Sequence, residues 1–162
     1  MREILFRGFT PDERGKSEII VNGKTIKGQW VQGSYWKIQK TTYCFKEDYE
    51  AHPDNTEHYI VFDQMTDWGL PNIQLKADVI PETVGQYTGL TDKNGKRIFE
   101  GDIVTTYKFN TPNKKYIIKF DLLLGAFIGE IADDMYFTTF DGDSDYFEII
   151  GNIHDNPELL KE

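Results

Sequence analysis

Turn chemistry recurs so often along this 162-residue chain that no long regular element fits between its signals. Asn22-Gly23 and Asn94-Gly95 are two-residue hairpin signals, because both residue types tolerate the positive φ of a type I′ turn. Pro81 to Gly85 has Pro at its start and Gly as its stop, the pattern of a single helical turn. Gly101-Asp102 turns the chain again, and Asn156-Pro157 opens a short terminal turn through Leu160. Between these points lie short runs rich in aromatic and β-branched residues: Glu3–Phe9, Glu18–Val21, Lys24–Lys27, Gln29–Ile38 with a break at Gly33, Thr41–Phe45 and His58–Phe62. Tyr87–Leu90, Arg97–Phe99, Ile103–Tyr107, Lys115–Phe120, Gly125–Ile131 and Tyr146–Ile153 continue the series. Helical periodicity is sustained nowhere over 12 residues or more, so the expectation is a mainly β protein. Its short coiled strands would form an SH3-like or barrel-type fold with one or two short helical turns.

The polar stretch Lys46–Glu57 reads as a loop or insertion. A break near residues 64–80 could separate an N-terminal β subdomain, 1–63, from a C-terminal barrel, 79–156, but Asp67-Trp68-Gly69-Leu70 is not linker-like. One unit over 1–162 is the expectation. Hydrophobic residues at 39% and charged residues at 28% fit a folded, water-exposed chain rather than a disordered one. The longest apolar stretch near the end, Leu122–Ile128, is strand-sized, far short of the roughly 20 residues of a membrane helix. Met1–Arg7 has no apolar segment of signal-peptide length. These features point to no membrane partner and to the cytoplasm of a bacterial host.

Charge separates the chain into two regimes. Phe120 to Glu162 holds eleven acidic residues and one basic residue, Lys161, a net of −10, whereas Met1–Lys119 holds 17 basic and 16 acidic residues. Such a field repels a phosphate backbone and disfavours nucleic acid as a partner on that side. It can attract a basic protein surface, or imitate nucleic acid to a protein that binds it.

Chemistry-bearing patterns fail on inspection. Gly89 to Lys96 has five residues between its glycines where a phosphate-binding loop needs four, and Arg97 replaces the Ser or Thr that reaches magnesium. Asp141-Gly142-Asp143-Ser144-Asp145 begins like a calcium loop, but Tyr146 holds its sixth position and Asn152 its twelfth. His52, Asp54, Glu57 and His58 are metal-ligand types with nothing to fix a tetrahedron. Cys44 stands alone in an apolar run, which reads as a buried, inert thiol. Trp30, Tyr35 and Trp36 suit core packing better than a stacking platform for single strands. No catalytic residue, cofactor or metal ligand is expected, and the chain reads as a non-enzyme.

Val79 to Val104, with Gln86-Tyr87-Thr88-Gly89-Leu90-Thr91-Asp92-Lys93-Asn94-Gly95-Lys96-Arg97-Ile98-Phe99-Glu100-Gly101-Asp102 at its centre, resembles the signature of the YopX family of phage and prophage proteins. Ile149 to Leu160, which includes Gly151-Asn152-Ile153-His154-Asp155-Asn156-Pro157, is similar to that family's closing motif, and Arg2–Gly8 and Gly28–Gly33 are similar to its N-terminal pattern. The resemblance implies a β-rich fold with a barrel-like portion, a phage or prophage origin and self-assembly. It implies no activity.

Within these motifs Gly85, Gly89, Asn94, Gly95, Gly101 and Asn152 read as backbone-shaping positions, and Asp102 as the cap of its own turn. Gln86, Tyr87 and Asp92 offer hydrogen bonds near a turn and are the candidates for a partner surface. The functional expectation is an accessory protein that forms a homo-oligomer and binds a host or phage protein. The first alternative is an acidic nucleic-acid mimic acting through Asp133, Asp134, Asp141, Asp143 and Asp145. The second is a nucleic-acid-binding barrel that would need Lys93, Lys96, Arg97, Lys108, Lys114, Lys115 and Lys119 on one face.

Overall fold

The computed structural model describes residues 3–12, 19–21, 24–106, 114–131, 134–139 and 146–161, with the side chains of 19–21, 24 and 134–139 left aside. The fold is mainly β, as the turn signals require, and the chain divides into two compact units, Leu5–Val84 and Met1–Ile4 with Gly85–Glu162. The Asn22-Gly23 turn and the acidic run 141–145 lie outside the described residues, as do Lys108 and Asp133.

In the first unit, β1 (Phe6–Phe9), β2 (Ile19–Val21), β3 (Lys24–Ile26), β4 (Trp30–Gln39), β5 (Thr56–Met65) and β6 (Pro71–Asp78) are joined by turns and by one short helix, α1 (Lys46–Ala51). β1, β4, β5 and β6 form an antiparallel sheet in the order β6-β5-β4-β1, with Gly8 opposite Val31, Tyr35 opposite Ile60 and Phe62 opposite Leu75. β2 and β3 pair as a separate ribbon, Val21 opposite Lys24. Alternation puts Val31, Ile60, Ala77 and Val79 into one core, with Phe6, Ile26, Tyr35, Phe62 and Val84 packed against it. Ile60 is wholly buried, which contributes about 1.5–3 kcal/mol relative to an exposed side chain.

Four expectations change here. β4 runs straight through Gly33, which is a point of close approach rather than a break: a Cβ there would lie 2.1 Å from the carbonyl oxygen of Val61. Thr41–Phe45 is not a strand, and Lys46–Ala51 is a helical turn stabilised by Glu47 and Asp48 at its positive end and a Lys46–Glu50 pair. Its six residues are too few to register as periodicity. Cys44 is exposed, because the segment that carries it joins no sheet. Asp67-Trp68-Gly69-Leu70, read as not linker-like, lies in the turn of the β5–β6 hairpin, closed by Thr66 N–H to Leu70 O at 2.8 Å.

The second unit begins with a hairpin, β7 (Gly85–Thr91) and β8 (Arg97–Phe99). β9 (Asp102–Thr106), β10 (Lys115–Asp121), β11 (Ala126–Ile131), β12 (Asp134–Thr139) and β13 (Phe147–Asn152) then form an antiparallel sheet in the order β12-β11-β10-β9-β13. Ile98, Val104, Ile118, Phe127 and Phe147 make its core, with Tyr116 and Ile149 against them. The helical turns expected after Pro81 and Pro157 are present as Pro81–Thr83 and Pro157–Leu160.

The expected barrel is not closed. Closure needs hydrogen bonding between the two outermost strands, and among the described residues β12 and β13 lie at opposite edges of the sheet. β13 instead returns to pair with β9, Glu148 opposite Thr105 and Asn152 opposite Asp102.

Candidate functional site

The residues singled out in the sequence hold the second unit's turns. Asp92 is 3% exposed, and its Oδ1 accepts the backbone N–H groups of Asn94 and Lys96, both at 2.9 Å. Its Oδ2 accepts the N–H of Ile149 at 3.3 Å, so one carboxylate ties the β7–β8 turn to β13. Burial pushes this carboxyl up, but the amide bonds from Lys96, Ile149 and Asn94 outweigh it and hold its pKa below the ordinary value. Gly95 closes the same turn at φ 78°, its N–H donating to Asp92 O at 2.8 Å.

A second turn uses Gly101 and Asp102. Gly101 has φ 83° and donates its N–H to Ile118 O, while the buried Asp102 accepts the N–H of Phe99 at 2.8 Å. Asn152 shapes the third: its Oδ1 accepts the amides of His154 and Asp155, and its Nδ2 donates to Asp155 Oδ2 at 2.7 Å. Gln86 offers its carbonyl to Glu100 N–H. Tyr87 is buried against Phe99, ring centres 5.5 Å apart, with the Arg97 guanidinium 5.7 Å from its ring. These eight positions share one hairpin and the ends of β9 and β13. Every contact described for them lies within the unit.

Four of the basic residues named for a nucleic-acid surface have partners within the second unit. Lys93 pairs with Glu148 at 2.9 Å, Arg97 with Glu3 at 3.4 Å, and Lys119 with Glu130. Lys115 donates its ammonium to Leu159 O. Tyr35 and Trp36 follow one another on β4, so their rings leave opposite faces of the sheet and cannot form one platform; Tyr35 packs on Phe6 and His58, and Trp36 is 48% exposed.

The first unit contains a polar cleft of about 830 Å³ lined in part by Lys40, Glu57, His58, Asp78 and Glu82. Tyr59 O–H donates to Glu57 Oε2 at 2.6 Å, and Glu57 Oε1 pairs with Lys40 at 3.0 Å. Burial first, then the Glu57 bond and the charge of Asp78, raise the Tyr59 phenol, so it remains a donor. The Tyr59 bond and then Lys40 lower Glu57, which remains an acceptor. His58 Nδ1 lies 2.5 Å from Tyr35 O–H, and burial first, then the charge of Lys37, lowers its pKa below the ordinary value. His52 Nδ1 is taken by Asp48 O. Among the described residues no three His, Cys, Asp or Glu side chains gather as a metal site.

What the sequence reading missed is apolar and exposed. Leu122, Leu123 and Leu124 are 88%, 97% and 61% exposed in the four-residue connection between β10 and β11. Asp121 Oδ1 accepts the N–H groups of Leu123 and Leu124 at 2.8 and 2.9 Å, and Gly125 ends the turn at φ 60°. The leucines therefore project from a turn whose backbone is already fixed. Asp121 before the run and Gly125 after it are the signal that marks a turn rather than a strand.

The family model for YopX protein matches residues 23–161, and the chain belongs to the YopX family, a family without an assigned biochemical activity. No curated protein matches the chain. Among solved structures, the crystal structure of protein EF1440 from Enterococcus faecalis is similar, with 21% identity, a TM-score of 0.47, and coverage of 99% of this chain and 100% of that one. No helix of the described residues is long and apolar enough to cross a membrane.

Proposed function

We propose that this chain is a non-enzymatic accessory protein of the phage type, working in the cytoplasm of a bacterial host, that assembles with itself and acts by binding another protein. The observation that carries this reading is the leucine turn of the β10–β11 hairpin. Three adjacent leucines in water are an apolar surface that folding has not used, and their Asp121-held backbone presents them without further ordering cost. The acidic excess after Phe120 suits a partner whose apolar pocket has a basic rim. The experiment is affinity capture of the tagged protein from host lysate after nuclease treatment, read by mass spectrometry. A discrete protein partner is expected. Loss of all capture on nuclease treatment would overturn the reading in favour of nucleic acid.

The charge of the last 43 residues supports a second reading, an imitation of nucleic acid that occupies a host nuclease or DNA-binding protein. Neutralising Asp133, Asp134, Asp141, Asp143 and Asp145 together should then abolish inhibition of that target.

A further inference from the structure

We propose that self-assembly runs through the outer edge of β6, which pairs antiparallel with β6 of a second copy and joins the sheets of the two copies into one. The inference rests on the reading that the protein assembles with itself, and it assigns the surface and the register. β6 is the edge strand of its sheet, eight residues long, and among the described residues no strand pairs with its outer side. Such an edge presents a row of unpaired amides and carbonyls and is a template for another chain unless it is shortened, bulged, covered or guarded by charge. Here length, proline and charge guard it weakly, and β2 approaches β6 without pairing with it. The only proline is Pro71, at the first position, and the register shift with β5 skips Asn72 at that same end, which leaves Ile73–Asp78 regular. Lys76 is the one cation of the strand, and its ammonium lies 3.8 Å above the ring of Tyr59 on β5 rather than standing off the edge.

Apolar exposure is concentrated beside this edge. Ile73 is 51% exposed, and Met65, Trp68 and Leu70 at the adjoining hairpin end are 53%, 88% and 63% exposed. The segment is also complementary to itself. An antiparallel pair about a two-fold axis perpendicular to the sheet keeps each residue on its own face, so directly opposed positions have an even sum. Centred on Gln74, the pairing sets Ile73 opposite Leu75 twice. Centred on Leu75, it sets Gln74 opposite Lys76 and Ile73 opposite Ala77. Neither register opposes like charges, and both carry the Trp68–Leu70 end toward Ile80 of the second copy, itself 37% exposed. A two-fold axis makes each of these contacts twice, which favours a second copy over an unrelated strand as the occupant.

The test uses the full chain. Sedimentation velocity over a range of concentrations is compared for the native protein and Ile73→Lys, a substitution at an exposed site whose fold is checked by circular dichroism. A rise in the dissociation constant of tenfold or more is expected. As a second arm that does not depend on Ile73→Lys folding, Gln74→Cys and Leu75→Cys, each in a Cys44→Ser background, are mildly oxidised; a disulfide-linked dimer at one of them, and none from Asn94→Cys, is expected. Assembly of unchanged strength in Ile73→Lys with no cross-link at 74 or 75 would overturn the β6 pairing and leave self-assembly standing. A native protein that stays monomeric at every concentration would overturn both.

Discussion

Asp92, a candidate for a partner surface in the sequence, holds structure at its turn. Its carboxylate satisfies three backbone amides from two separate segments, so removing its charge weakens the joint between the β7–β8 turn and β13. Asp92→Asn should cost about 1–2 kcal/mol at pH 7 by urea unfolding. Because the folded pKa lies below the unfolded one, the stabilisation is fully present above the ordinary value of 3.8 and is lost as pH falls through the folded pKa. The gap between the native protein and Asp92→Asn should therefore close toward pH 3; a gap unchanged from pH 7 to pH 3 would contradict the assignment. Glycines divide in the same physical way. Gly33→Ala drives a Cβ to 2.1 Å from Val61 O, which is backbone and cannot step aside, and should cost roughly 3 kcal/mol or prevent folding. Gly69→Ala meets nothing within 4 Å and bears only the strain of φ 72°, about 1 kcal/mol. Thermal melts of the two variants separate crowding from strain.

At the scale of elements, the hairpins were legible because their turns are written in residues with one backbone preference. Asp92 to Lys96 between Tyr87 and Phe99 is such a case, and so are the turns after Pro81 and Pro157. β6 was missed although its Asn-Ile-Gln-Leu-Lys-Ala sequence alternates polar and apolar residues, the pattern of a half-buried strand; it is weak in β-branched residues and has β5 as a partner along its length. Gly33 misled for a related reason, since the contact that requires glycine comes from β5, more than twenty residues away in sequence. Thr41–Phe45 carries β-type residues but finds no neighbouring edge. The leucine run misled by composition, being apolar enough for a core strand and placed by Asp121 and Gly125 in a turn. This predicts a sharp contrast. Joint replacement of Leu122, Leu123 and Leu124 by Ser should change unfolding free energy by less than about 0.5 kcal/mol, whereas Ile118→Ala, one wholly buried side chain on the same hairpin, should cost roughly 2–5 kcal/mol. Comparable losses in the two variants would mean that the leucines are packed in the folded protein.

For the whole molecule, the candidate site was the least legible part. The named turn residues Gln86, Tyr87, Asp92, Asn94, Gly95, Gly101, Asp102 and Asn152 were readable as turn chemistry, but only coordinates could show that Asp92 and Asn152 spend their hydrogen bonds inside the fold. Surfaces that await a partner are written as exposure, and exposure is a property of three-dimensional placement that a one-dimensional pattern does not carry. Asp92, Asn152, Glu57 and Tyr59 are partnered within their own β-rich units, while the leucine turn and the β6 edge expose apolar side chains, on a background of strong negative charge after Phe120. The central claim is that this exposed apolar surface, not a reactive group, performs the function. The most direct measurement is quantitative affinity capture from nuclease-treated host lysate, with the native protein and the Leu122→Ser, Leu123→Ser, Leu124→Ser variant compared at equal loading. A discrete partner should be retained by the native protein and fall at least tenfold for the variant. Equal recovery of the same partner by both would contradict the claim.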